Sequence, residues 1–339
     1  MKKMKKVLAT CLAVLALTAS LGMGACGGKK KEDITVYMPD GAPALAFAQM
    51  MAEDMPDDGV QYNVVDASVI ATKVSANDMA DNADLCVLPV NLASKLLGDG
   101  EKYQMLGLVT QGNLYFITDK AVADVEDLAL LKGETVGLAQ IVNVPGLTLK
   151  AALNRNGAAW AELKDGVEAS ADKVNLKGLT NNAAIDGSLS YYLAAEPFVT
   201  MKTMGGDFRV VGDLKTLYNG IGSENVGYPQ AVLVAKRDFL KKNAAWTADF
   251  LEKLAGGGEW LKTASAQDIY ISVVRHFEDA THNAVFSIPT LTQECISRCG
   301  ISFAYAKDCM GRVNDFLTEL TTVNANAAKT VEEDFYWLG

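Results

Sequence analysis

The sequence predicts an α/β protein built as two lobes, and three observations carry that prediction. Apolar runs and amphipathic stretches alternate from Ile34 onward, the pattern of crossover units on a mainly parallel sheet. Two strand-to-helix junctions, "PDGAPALA" at 39–46 and "NVPGLTLKA" at 143–151, recur at lobe-sized separation. The 339 residues, half of them hydrophobic, are enough for two substantial cores and argue against disorder.

The first 33 residues stand outside those lobes. "MKKMKKVLATCLAVLALTASLGMGAC" has a lysine-rich start, an apolar stretch from Val7 to Leu21 and a small-residue tract ending at Cys26, the layout of an export signal over 1–25. The apolar run is shorter than the ~20 residues that span a bilayer comfortably. "MGAC" resembles a bacterial lipobox, with Met23 where leucine is usual, so cleavage is expected to leave Cys26 carrying a diacylglycerol anchor. Ordinary signal cleavage and a retained anchor are the alternatives, and Met23 weakens the first. Residues 26–33 then form a lipidated tether that holds a folded domain at the membrane surface.

In the first lobe, "ITVYM" reads as a strand and "PALAFAQMMAED" as a helix begun through Pro43, with no Ser, Thr or Asn just before it. Asp40 is placed to cap the first N–H groups. If it does not, Gly41 and Ala42 are small enough for a ligand to approach those donors, at the end where the helix dipole favours electron-rich groups. "VQYNVVD", a short segment around "SVIATKVSAND", the strand "DLCVLPV" and the helix "NLASKLL" follow. "KYQMLGLV" and "LYFITD" are strands separated by Gln111-Gly112-Asn113, a route into the second lobe.

The second lobe begins near "VADVEDLALL", continues through the strand "ETVGLA", and reaches a helix begun at Pro145, with Asn143 as a candidate cap. "KVNLKGL", "SYYLAAEP" and "FRVVGDL" are strand-like, and "TNNAAID" supplies an Asn-capped turn of helix. "GYPQAVLVAKRDFLKKN" starts as a strand and becomes a helix, placing the return crossing near Tyr228 to Val232. The expected boundaries are 34–118 plus 231–339 for lobe 1 and 119–230 for lobe 2. The remainder is largely helical and expected to pack mainly on lobe 1. Phe335, Tyr336 and Trp337 are expected to dock as packing. There is no repeat of 20 to 50 residues.

The formal charge of −10 understates the acidity of the processed chain, because Lys2, Lys3, Lys5 and Lys6 precede Cys26. Such a balance opposes nonspecific nucleic-acid binding, and no basic patch offsets it. Past the anchor, Cys86 lies in an apolar run, while Cys295, Cys299 and Cys309 sit in amphipathic segments without a CxxC pair. Structural thiols are the favoured reading, ahead of a disulfide or a metal site.

Taken in order, "MPDGAPALA", "ADLCVLPVNLASKLL", "LKGETVGLAQIVNVPGLTLKAALNRNG", "AEPFVTMK" and "GYPQAVLVAKRDFLKKN" resemble the solute-binding lipoproteins of the nitrate/taurine/sulfonate group of bacterial ABC importers, which includes thiamine-precursor binders. The resemblance implies a type II periplasmic-binding-protein fold, two α/β lobes joined by two crossings and closing over a solute. It implies a small-molecule solute, an ABC permease and ATPase complex and a membrane anchor as partners, and no cofactor or metal. Carried onto this chain, it sets "DGAPA", "LPVN" and "TQGN" against "NVPG", "TNNA" and "AEPF". The candidate contacts are Gly41, Ala42, Pro43, Val90, Asn91, Gln111, Asn113, Val144, Gly146, Asn182 and Glu196.

Gln111, Asn113 and Asn182 are equally suited to ligand contact and to turn chemistry, and Glu196 to an amine or heterocycle and to a structural salt bridge. No arginine or lysine falls within these loops, so a doubly charged anion lacks an obvious counterion. Tyr37, Tyr191, Tyr192, Phe198 and Tyr228 are candidate stacking surfaces, with core packing the favoured role. A thiamine-precursor-like heterocycle is therefore preferred over a simple anion.

Two other functions compete with a nonenzymatic receptor. A related pyrimidine-synthase family uses the same general fold with an iron-dependent site, and His276 and His282 are the residues that could join Cys295 or Cys299. Their spacing of six does not match a helical zinc pair, and no HExxH is present. An adhesin or assembly protein on the same fold is the third class.

Overall fold

The computed structural model describes residues 33–55, 59–219 and 227–339. The export signal, Cys26 and the tether up to residue 32 lie outside the described residues. From Ile34 onward the chain forms one compact unit. No helix among the described residues is long and apolar enough to cross a membrane.

The first pass of the chain runs β1 (Ile34–Pro39), α1 (Ala42–Ala46), α2 (Ala48–Ala52), β2 (Val60–Val65), β3 (Leu85–Pro89), α3 (Val90–Leu97) and β4 (Tyr103–Gln111). The second lobe follows with β5 (Leu114–Thr118), β6 (Thr135–Ala139), α4 (Val144–Arg155), β7 (Trp160–Glu162), β8 (Val174–Leu179), β9 (Tyr191–Ala195), α5 (Phe198–Met204), β10 (Arg209–Asp213) and α6 (Leu214–Asn219). The chain returns through β11 (Pro229–Lys236), α7 (Arg237–Lys242), α8 (Ala244–Thr263), α9 (Ala266–Val274), α10 (Gln293–Arg298), β12 (Ile301–Tyr305) and α11 (Ala306–Val323).

Two six-stranded sheets result, ordered β12-β4-β11-β3-β1-β2 and β10-β5-β9-β6-β8-β7. Each has a parallel part that runs to one edge, β3-β1-β2 in one and β9-β6-β8-β7 in the other, and each takes antiparallel strands where the chain crosses between lobes. Alternate residues of the first sheet feed opposite faces, as the period of two requires. Leu85, Val87 and Leu233 pack with Leu45, Phe250 and Leu254, whereas Cys86, Leu88 and Val232 join the core that holds Val313 and Phe316.

That second core does not stop at the lobe boundary. It continues through Tyr218 and Tyr228 to Leu147 and Leu217. Cys309, Val313, Phe316, Leu317 and Leu320 line the buried face of α11, which packs on β4 and α3 and also on α4 of the other lobe. Arg155 and Glu319 pair at 2.5 Å across the same contact. α11 therefore serves both lobes, while α8 and α9 pack on the first, as expected of the C-terminal part.

The structure corrects several expected elements. β5 belongs to the second sheet, so the outgoing crossing is Gln111–Asn113 and not a point after Thr118. Pro43 stands second in α1, after Ala42, and the helix breaks at Phe47. Asp40 does not cap it. Its Oδ1 accepts from the Gly41 N–H at 2.7 Å, and its Oδ2 accepts from the Val285 N–H at 2.8 Å and lies 2.9 Å from His282 Nε2. β7, α5, α6 and β12 are additional to the expected elements. Each is short, and their burial is fixed by neighbours distant in sequence, which leaves little periodicity to read. The tail docks as expected: Phe335 and Tyr336 are buried, and the Trp337 N–H donates to the Met105 carbonyl at 2.9 Å.

Candidate functional site

Strand direction decides where a site can form. β1 and β3 are parallel, and their carboxyl ends deliver Gly41–Pro43 and Val90–Asn91 to one edge of the first sheet. β4 runs the same way as β3, because both are antiparallel to β11, so Gln111 reaches that edge too. Three residues later β5 begins, with Leu114 paired to Ala195 at the carboxyl end of β9. The carboxyl ends of β6 and β8 lie beside it and carry Val144 and Asn182. The crossings thus join the two carboxyl-terminal edges, where open α/β sheets place their ligands.

The crossings are tied to each other. The Tyr228 hydroxyl, fully buried, accepts from the N–H groups of Asn113 at 3.2 Å and Leu114 at 3.1 Å. Gln230 Nε2 donates to Asn113 Oδ1 at 2.7 Å. Gln111 is held from behind, its Nε2 donating to Ser302 Oγ at 2.9 Å and its Oε1 accepting from Arg312 at 2.7 Å. Gln111 and Asn113 therefore have structural partners at the crossings.

On the second lobe, Asn143 makes no side-chain cap to α4, whose second residue is Pro145. A Cβ on Gly146 would fall 2.1 Å from the Ile141 carbonyl oxygen, so the loop before α4 folds directly onto this residue. Lys150, buried among apolar groups, donates to that same carbonyl at 2.9 Å and pairs with Glu162 at 2.5 Å. Gln140 is the one non-glycine residue at positive φ among the described residues, at 57°. Sequence reading did not single it out, and strain at an exposed loop beside a helix start is a recurrent mark of functional sites. Asn181, not Asn182, caps the short turn, accepting from the Ala183 N–H at 2.8 Å.

Glu196 is fully committed. Its carboxylate accepts from the Thr200 N–H and Thr200 Oγ1, both at 3.0 Å, and from Cys295 Sγ at 3.5 Å, with Arg298 at 3.7 Å. Burial pushes its pKa above the ordinary value, against the pull of these donors. Arg298 and Arg312 come from beyond residue 290, so basic groups do stand near the crossings although the loops themselves contain none. Among the candidate rings, Tyr191, Tyr192 and Tyr228 are core residues, while Tyr37 and Phe198 are partly exposed. His276 points to Asp54 and His282 to Asp40, so neither joins the cysteines. Cys86, Cys295, Cys299 and Cys309 are buried free thiols.

Among the described residues, two buried side-chain polar atoms lack a hydrogen-bond partner, Asn91 Oδ1 and Gln230 Oε1. Both sit near the carboxyl-terminal edge of the first sheet: Asn91 follows β3 in the first turn of α3, and Gln230 precedes Ala231, which pairs with Pro89. Asn91 Nδ2 donates to the Ala327 carbonyl at 3.0 Å, which fixes the orientation of that amide and leaves its oxygen as the free group. A surface cavity of about 730 Å³ lies away from the crossings, on the first lobe, and is lined by Tyr62, Trp246 and Phe250 among others.

No protein-family profile matches the chain, and no curated protein matches it in sequence. Solved structures do match. An ABC transporter protein from Parabacteroides distasonis is 19% identical with a TM-score of 0.68, covering 90% of this chain and 99% of its own. The periplasmic aliphatic sulphonate-binding protein SsuA from Escherichia coli is 14% identical with a TM-score of 0.61, covering 90% and 92%. The ligand-binding component of an ABC-type import system from Staphylococcus aureus, with zinc bound, is 12% identical with a TM-score of 0.56, covering 90% and 96%. The fold is therefore that of the periplasmic binding proteins, two α/β lobes with a six-stranded sheet in each.

Proposed function

We propose that this chain is an extracytoplasmic solute-binding lipoprotein of an ABC importer, anchored through Cys26, which captures a small organic solute between its lobes and delivers it to a permease driven by an ATPase. The observation that carries the reading is the meeting of both carboxyl-terminal sheet edges at two tied crossings, with two buried acceptors, Asn91 Oδ1 and Gln230 Oε1, left unpartnered near the edge of the first sheet. Gly41, Ala42, Pro43, Val90, Asn91, Val144, Gly146 and Asn182 are its proposed ligand-facing residues, with Gln111 and Asn113 behind them. The reading is of binding without turnover.

The ligand chemistry follows from the unpartnered atoms. An unsatisfied buried carbonyl costs roughly 1–3 kcal/mol, which a ligand N–H or O–H recovers on binding. Nitrate and simple alkylsulfonates carry only acceptors and would oppose Asn91 Oδ1 lone pair to lone pair, whereas an amine-bearing sulfonate such as taurine would have to present its ammonium there. A heterocycle of the thiamine-precursor type, bearing an amino group, supplies donors, and the exposed part of Phe198 offers it an apolar wall.

A thermal-shift screen tests the reading on the protein lacking residues 1–26, against aminopyrimidines and other thiamine precursors, taurine, alkylsulfonates, nitrate, riboflavin and amino acids. A saturable rise with an aminopyrimidine and none with the oxyanions is expected. A rise with an alkylsulfonate alone overturns the ligand class; consumption of a ligand overturns the receptor.

A further inference from the structure

We infer that Glu196, Cys295 and Arg298 form a buried latch between the lobes, so that opening the cleft uncovers the Cys295 thiol. Glu196 follows β9 of the second sheet, whereas α10 leads into β12 of the first, so every contact between them spans the two lobes. Four contacts from the second lobe, two from Glu196 and two from Tyr115, converge on one helix of six residues. Cys295 Sγ donates to Glu196 Oε2 at 3.5 Å, the Arg298 guanidinium stands 3.7 Å from Glu196 Oε1 and 5.8 Å from the Tyr115 ring centroid, and the Tyr115 hydroxyl donates to the Arg298 carbonyl at 3.3 Å. The Glu196 side chain has no exposure, and Arg298 retains 18%.

The chemistry of the cluster favours a contact that is made and broken over a permanent core. A carboxylate in this position is stable only while its donors are present, and separating the lobes removes two of them at once while admitting water as the replacement. Glu196 keeps Thr200 from its own lobe in either state. Arg298 keeps Glu294 on its own helix. Both charges therefore have a second partner ready when the lobes part. Glu196 is the charged group that Cys295 meets, so the accessibility of Cys295 reports the break.

The inference rests on the reading that the lobes open, and one experiment separates the two. The mature full chain is treated with N-ethylmaleimide, and labelling at each cysteine is followed by peptide mass spectrometry. Cys86, in the central strand β3 of the first lobe, is the internal clock for global unfolding. Cys295 is expected to label at least about tenfold faster than Cys86, and Glu196→Gln, with Arg298→Met as the second variant, to quicken Cys295 about tenfold more without changing Cys86. Labelling of Cys295 and Cys86 at one common rate overturns both the latch and the opening. Early labelling of Cys295 that neither variant alters leaves the opening standing and overturns the latch.

Discussion

The Tyr228 hydroxyl accepts from the backbone N–H of Asn113 at 3.2 Å, and this bond binds the returning strand to the outgoing one at the point where the lobes meet. Tyr228 also stacks on Phe316 of α11 and meets Tyr218 edge to face. An aromatic cluster thus backs the crossings and buries the Tyr228 hydroxyl against them.

Tyr228→Phe keeps the packing and removes that atom, leaving the N–H groups of Asn113 and Leu114 buried without an acceptor. A loss of about 2–3 kcal/mol in unfolding free energy is expected. Urea titration checks it; an unchanged midpoint would mean that water reaches the crossings.

Asn91→Leu removes the unpartnered acceptor together with the bond to Ala327. Affinity for the solute selected by the thermal-shift screen is expected to fall about tenfold, with a change in stability below roughly 1 kcal/mol, because one orphan and one bond leave together. Calorimetric titration of parent and variant decides. Equal affinity would exclude Asn91 from ligand contact.

Gly146→Val puts a side chain at the start of α4, where the Ile141 carbonyl lies in the place that the new Cβ must take. Destabilisation of roughly 2–3 kcal/mol is expected, seen as a lowered Tm. A Tm equal to the parent's would show that the Gln140–Asn143 loop yields freely.

Glu196 sets a pH dependence. Its native pKa lies above the ordinary 4.5, so the native state holds the proton more tightly than the unfolded chain. The associated stability is fully present below about 4.5 and is lost as pH rises through the raised native value. Asp213, also raised by burial, adds in the same direction. Glu196→Gln is neutral throughout, so its Tm relative to the parent's is expected to climb from pH 4 to pH 7. A difference that stays flat with pH would show that Glu196 titrates as an exposed carboxyl does.

Much of the fold was legible in the sequence because its signals are local. The runs that became β1, β3, β6, β9 and β11 are mainly apolar segments bounded by turn residues, and "TQGN" reads as a route between lobes although the expected boundary falls after Thr118. β12 was hidden because Ile301–Tyr305 is only partly buried and is paired to β4, almost two hundred residues earlier. Gln111 was legible as a polar residue at a crossing, whereas its bond to Arg312 was not. No local pattern encodes a partner two hundred residues away.

By itself the sequence determined the alternation of strands and helices, the two glycine-and-proline junctions that start α1 and α4, and the lobe-sized spacing between them, all set by backbone preference and hydrophobic period. Only the tertiary structure decided which polar groups were consumed and which were left over. Asp40, Gln111, Asn113 and Glu196 are drawn into bonds with Val285, Arg312, Gln230 and Cys295, while Asn91 and Gln230 each keep an oxygen without a partner. Hydrogen bonds satisfy buried groups wherever packing brings a partner within reach, and that reach is a property of the folded chain.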